Sequence, residues 1–219
     1  MKILDVPQSG SMAGTTSSRN RFGQYRRTRA IPVQPRSTFQ GTMRNRLAAN
    51  SAAWRTLTDA QRAGWDGLAG GITRTDALGQ SYTMTGPEMY VALNNNKLDA
   101  GDAVVPDAPA PVTPGGAETV TITTTGGTLS IAYTVTPLPA NTRLFIYASP
   151  QRSAGRRFEN DLRLIAVTAA AAASPHNLLA AYTARFGAPV VGNKIFFSLH
   201  YYNGGFLGGP LRTSKVVTA

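Results

Sequence analysis

Histidine is the side chain best suited to proton transfer near neutral pH, and this sequence has two, His176 and His200. His176 falls just inside an expected helix start, and His200 in the middle of an expected strand. Neither sits in a His-Glu-x-x-His pattern or beside a carboxylate spaced to orient it, so both read as structural. Glu159 and Asp161 form a close carboxylate pair, but Arg156, Arg157 and Arg163 surround them. That composition reads as solvated ion pairs in a loop rather than as paired acid–base catalysts. Gly204-Gly-Phe-Leu-Gly-Gly209 lacks the Lys and Ser/Thr of a phosphate loop and follows a strand without opening a helix. It reads as a hairpin turn. With no cysteine, thiolate metal sites, thiol nucleophiles and disulfides are excluded. No catalytic, metal-ligating or cofactor-binding set stands out, and the expectation is a non-enzymatic protein without a cofactor.

The remaining chemistry is in the charge. The net charge is +11, and its distribution is uneven. Residues 1–36 carry Lys2, Arg19, Arg21, Arg26, Arg27, Arg29 and Arg36 against Asp5 alone. Residues 37–70 add Arg44, Arg46, Arg55 and Arg62 against Asp59 and Asp66. A basic N-terminal arm implies an acidic partner. Within it, Arg19, Arg21, Arg26, Arg27 and Arg29 interleave with Phe22 and Tyr25. Guanidinium forks can bond carboxylates on a protein while the rings serve as buried anchors. They can equally bond phosphates while the rings stack on bases. A solvated tail is the bland alternative. Gly10, Gly14 and Gly23 permit close backbone approach and favour the protein partner. If the segment pairs as an added strand, Arg21, Gly23, Tyr25, Arg27 and Arg29 would face one way.

Four segments position these groups. Residues 1–36 show no helical or alternating period and contain the run Ile-Pro-Val-Gln-Pro35; the expectation is an extended arm. Residues 37–100 read as a small helical domain of three helices, each opened by a hydroxyl residue with Glu or Gln three positions on: Ser37/Gln40, Thr58/Gln61 and Thr85/Glu88. The first would bury Phe39, Met43, Leu47 and Asn50 on one stripe and run to about Trp54. The second spans about Asp59 to Ala69 and buries Trp65 and Leu68. The third runs from Pro87 to about Asp99, with Met89, Tyr90 and Leu93 inward and Gly101 as its stop. Residues 101–117 hold four prolines and read as a semi-rigid spacer. Residues 118–219 alternate as strands at 118–124, 129–135, 143–148, 161–168, 194–202 and 212–217, with a helix from Pro175 to Phe186 capped by Ser174. That count is the signature of a β-sandwich, making the fold class α+β in several segments. No run approaches a membrane span, and Met1 to Gly10 lacks the apolar core of a secretory signal.

Three stretches together form a recognisable pattern: Ser18-Arg-Asn-Arg-Phe-Gly-Gln-Tyr-Arg-Arg-Thr-Arg29, Trp54-Arg-Thr-Leu-Thr-Asp-Ala-Gln-Arg-Ala-Gly-Trp65 and Thr85-Gly-Pro-Glu-Met-Tyr-Val-Ala-Leu-Asn94. With the Pro-rich linker, residues 8–112 resemble proteins encoded in phage and prophage structural-gene regions. The pattern carries no assigned activity, so no functional residue transfers. Residues 118–219 look like a fibronectin type III or immunoglobulin-like module. The resemblance implies a structural component of a tailed-phage virion, a capsid-associated decoration, cement or head-tail protein, made in the host cytoplasm. Its expected partners are major capsid, connector or tail subunits in a homo- or hetero-oligomeric assembly, with no membrane. The alternative is a nucleic-acid-binding or packaging-associated protein using the same arm.

Overall fold

The computed structural model describes residues 8–20, 23–31, 33, 37–75, 78–115, 119–125, 127–134 and 136–219. The chain divides into two compact units, Met1–Arg44 and Asn45–Ala219. Among the described residues the fold is mixed α+β, with four helices and several antiparallel sheets.

The first unit corrects the expectation of an extended arm. Strands β1 (Gly10–Met12), β2 (Thr15–Asn20) and β3 (Gly23–Thr28) form an antiparallel meander in the order β1-β2-β3. The chain reverses after Met12 through Ala13, at φ +50°, and Gly14. The Gly14 carbonyl also accepts the Arg29 N–H at 2.8 Å. Alternation is weak here because hydroxyl side chains occupy both faces, so the strand period is carried by backbone pairing rather than by hydrophobicity.

Helix α1 (Thr38–Thr56) begins in the first unit and ends in the second. Phe39 and Leu47 remain 59% and 53% exposed, and only Asn50 of the expected stripe is buried. The packed face is rotated, using Arg46, Asn50, Ala53 and Trp54. Arg46 pairs with Asp99 at 2.5 Å, Asn50 Nδ2 donates to Asn95 Oδ1 at 3.2 Å, and Ala53 and Trp54 join the helical core. Trp54 lies 5.5 Å from Tyr90, centroid to centroid, and this contact sets the rotation of the helix.

Helix α2 (Asp59–Gly70) starts with a complete capping box between Thr58 and Gln61. A short hairpin of β4 (Thr73–Thr75) and β5 (Ser81–Thr83) leads to α3 (Gly86–Ala100), where the Glu88 carboxylate accepts the Thr85 N–H at 2.9 Å. Gly101 ends α3 in the left-handed region, at φ +79°, which a residue without Cβ adopts at no steric cost. Trp65, Leu68, Met89, Tyr90 and Leu93 form the core here, as expected. Trp65 and Tyr90 meet edge to face at 5.2 Å.

The Pro-rich stretch is a packed strap. Val105 and Ala108 contact the helical core, and Trp65 Nε1 donates to the Pro106 carbonyl at 2.8 Å. Asn94 is fully buried and clamps Val105 twice, accepting its N–H at 3.0 Å and donating to its carbonyl at 3.3 Å. A buried indole and a buried amide each need a partner, and the strap backbone supplies both.

Beyond the strap lie β6 (Thr119–Thr124), β7 (Leu129–Thr134), β8 (Thr142–Ala148), β9 (Arg152–Ser153), β10 (Arg163–Val167), β11 (His176–Asn177), α4 (Leu179–Phe186), β12 (Asn193–Asn203), β13 (Phe206–Leu207) and β14 (Leu211–Val216). One sheet has the order β11-β7-β6. The larger runs β10-β8-β12-β13, with β14 and β9 also pairing β12. Ile122, Leu129 and Ile131 from the first meet Leu144, Ile146, Ile195, Phe197 and Leu199 from the second in one cluster. Helix α4 starts later than expected, because His176 and Asn177 pair with Ile131 and Ser130 of β7. The Ser174 hydroxyl accepts the Tyr133 N–H at 3.0 Å rather than capping a helix. Gly204 and Gly205, both at positive φ, make the expected hairpin turn.

Candidate docking site in the N-terminal unit

The register of β2 and β3 decides where the basic side chains go. Arg19 faces Gln24, Ser17 faces Arg26, Ser18 faces Tyr25 and Thr16 faces Arg27. Directly paired residues share a face, and neighbours along a strand alternate. Arg19 and Arg26 therefore lie on one face of the meander, and Tyr25 and Arg27 on the other. The expected shared face of Gly23, Tyr25 and Arg27 is present within β3. Arg29 follows the strand, and Arg21 and Phe22 lie outside the described residues.

Arg19, Arg26, Arg27 and Arg29 are exposed, and Tyr25 is half-buried. Arg26 Nη2 donates to Gln8 Oε1 at 2.6 Å, and Gln24 Nε2 donates to the Gln8 carbonyl at 3.4 Å, which ties the start of the described chain to β3. The outer edge of β3 pairs with no strand among the described residues. It offers backbone donors and acceptors beside two guanidinium groups.

Exposed apolar residues are a second feature of this unit, one that its charge does not reveal. Met12 is 79% exposed, Ile31 78% and Val33 91%. Ile31 and Val33 flank Pro32 in the Ile-Pro-Val run, so the signal was present in the sequence. Its weight comes from their exposure. Among the described residues of this unit no hydrophobic side chain is buried.

Elsewhere, His200 is held by neighbours. Its Nδ1 lies 3.1 Å from the Gly208 carbonyl and its Nε2 3.2 Å from the Ser198 hydroxyl. The carbonyl can only accept, which places the proton of a neutral ring on Nδ1 and leaves Nε2 to accept from Ser198. Ser198 is buried, so its hydroxyl supports the sheet rather than meeting a substrate. Glu159 is also spent on structure: it accepts the Asn160 and Asp161 N–H groups at 2.9 and 3.0 Å and pairs with Arg152 at 2.5 Å and Arg156 at 3.3 Å. The backbone hydrogen bond from Asp161, reinforced by Arg152, holds its carboxyl below the usual range. Among the described residues no group of three or more His, Asp or Glu could hold a metal ion, and no helix is long and apolar enough to cross a membrane.

No family model matches the chain, and no curated protein or solved structure matches it.

Proposed function

We propose that the chain is a non-enzymatic structural component of a tailed-phage virion, a capsid-associated decoration, cement or head-tail protein. It docks through its basic N-terminal unit and carries an immunoglobulin-like module at its C-terminus. One observation carries the docking half. Among its described residues, the N-terminal unit buries no hydrophobic side chain, yet it exposes Met12, Ile31, Val33 and Phe39. A three-stranded sheet that buries no apolar side chain lacks the packed face that independent stability requires. A partner surface of capsid, connector or tail subunits would supply that cover, and Arg19, Arg26, Arg27 and Arg29 would add charge-assisted bonds to its carboxylates. The virion setting rests on the resemblance of residues 8–112.

The module reading is supported by strand partition. The small sheet takes β6, β7 and β11, and the large one takes β10, β8, β12 and β14. In order along the chain these correspond to strands A, B and E against C′, C, F and G of an immunoglobulin-like sandwich. Helix α4 is then an insertion between E and F.

The test is a variant with Arg21, Phe22, Tyr25, Arg26 and Arg27 all changed to Ala. It is expected to lose incorporation into particles while its C-terminal unit stays folded; normal incorporation would overturn the docking role. The same arm favours a nucleic-acid reading through its exposed arginines and half-buried Tyr25. That reading requires binding that weakens linearly in log salt.

A further inference from the structure

We propose that the cleft between the 154–162 loop and β14 binds an acidic sugar, a saccharide ring that carries a carboxylate. This inference is independent of the docking reading, because every residue in it belongs to the second unit.

The cleft has a volume of about 160 Å³ and is lined by Arg157, Phe158, Glu159, Phe196, Arg212 and Ser214, among others. Its charge is positive for a reason visible in the ion pairs. Arg152 and Arg156 are taken up by Glu159, and Arg163 by Asp161. No acidic residue follows Asp161 in the sequence, whereas Arg163, Arg185, Lys194, Arg212 and Lys215 do. Arg157 and Arg212 both line the cleft and make no ion pair among the described residues, while Glu159, the carboxylate in the same lining, is already paired with Arg152 and Arg156. Two planar guanidinium groups suit one carboxylate, which can accept paired bonds from each fork.

The loop is fixed before any ligand arrives. Glu159 accepts two backbone N–H groups and two guanidinium contacts, and Lys194 Nζ donates to the Arg156 carbonyl at 3.0 Å. Arg156 Nε donates to the Phe158 carbonyl at 3.0 Å. This bracing displays Phe158, which is 71% exposed although Phe196, in the same cleft lining, is buried. A ring held out of its own core beside two cations is a platform for an apolar face. Preorganisation of this kind lowers the ordering cost of binding. A pyranose offers an apolar C–H face for Phe158, a carboxylate for the arginines and hydroxyls for Ser214. The cleft has room for a single ring and only one aromatic platform, which disfavours a run of stacked bases.

The experiment is a titration of the full chain, followed by backbone amide resonances. The probes are a glucuronate-containing oligosaccharide, its carboxyl-reduced counterpart and inorganic phosphate. The acidic oligosaccharide is expected to shift residues 157–158 and 212–214. The carboxyl-reduced form should bind at least about tenfold more weakly, since a charge-assisted pair is worth about 1.5–3 kcal/mol. The R157A/R212A double variant should show the same loss, F158A a smaller one, and Lys215→Ala, on the other face of β14, none. Equal binding of the carboxyl-reduced sugar overturns the proposal, and it needs no variant to be informative. So does phosphate that displaces the oligosaccharide at equal affinity, which would leave a bare anion site, and so does the absence of shifts at those residues.

Discussion

The Tyr202 hydroxyl donates to Asp102 Oδ2 at 2.7 Å, joining residues one hundred positions apart. Asp102 also pairs with Arg143 at 2.7 Å, and Arg143 Nη1 donates to the Ala100 carbonyl that ends α3. Tyr202 stacks on Phe145 with centroids 5.0 Å apart, and Ala100 packs on both. This knot fastens the helical region to the large sheet, so Asn45–Ala219 is one unit rather than two domains on a spacer. Burial and the bond to Asp102 together push the Tyr202 hydroxyl well above its ordinary range.

Tyr202→Phe should cost about 1–3 kcal/mol, because it leaves a carboxylate oxygen of Asp102 without its donor. Urea unfolding would measure this. A double-mutant cycle with Arg143→Met should show coupling, since both side chains act on the same carboxylate. Additive losses would mean that Asp102 serves the two partners independently.

Asn94→Ala should release the strap. It removes the donor and acceptor that hold Val105 and leaves two backbone groups without partners. The expected result is faster proteolysis between residues 101 and 112 and a red shift of Trp65 emission. An unchanged digestion pattern would show that Trp65 and Pro106 hold the strap alone.

Glu159→Gln should destabilise the protein in a pH-dependent way. The Glu159 carboxyl is held below its ordinary value of 4.5 in the folded state. Its contribution is therefore complete above that ordinary value and is lost as pH falls through the lowered one. The difference in melting temperature between wild type and variant should be present at neutral pH and shrink on acidification. A constant difference across that range would contradict the assignment.

Burial pushes the Tyr182 hydroxyl up to about 12, and it donates to the Ser149 carbonyl at 3.1 Å. With a raised folded value the un-ionised form is favoured by folding, so this contribution holds at neutral pH and fades as pH rises toward that value. Tyr182→Phe should lower stability by about 1 kcal/mol at neutral pH, measured by chemical unfolding. No loss would indicate that the Ser149 carbonyl finds another donor.

Amides of β2 and β3 should exchange fast in the isolated protein, because no buried apolar residue among those described braces the meander. In particles the same amides should be strongly protected. Strong protection in the isolated chain would mean that the unit is already covered, and docking would lose its main support.

Local sequence determined the element boundaries of α2, α3 and most C-terminal strands, whereas α4 starts late because His176 and Asn177 pair with β7. Capping boxes at Thr58 and Thr85, the left-handed stop at Gly101 and the Gly204-Gly205 turn act within three or four residues, so their physics is written in adjacent letters. Only tertiary structure decided which face of α1 is buried, because Trp54 must reach Tyr90 and carries Arg46 and Asn50 with it. Only tertiary structure turned the Pro-rich stretch into a strap, since the indole of Trp65 and the amide of Asn94 find their partners there. The basic cleft is likewise tertiary. Arg157 and Arg212 stand 55 positions apart in the numbering, and they line one cleft because β14 pairs with β12 beside the loop. The N-terminal meander was hidden for a different reason: with no apolar face to alternate, its period is held by backbone hydrogen bonds that every sequence can make.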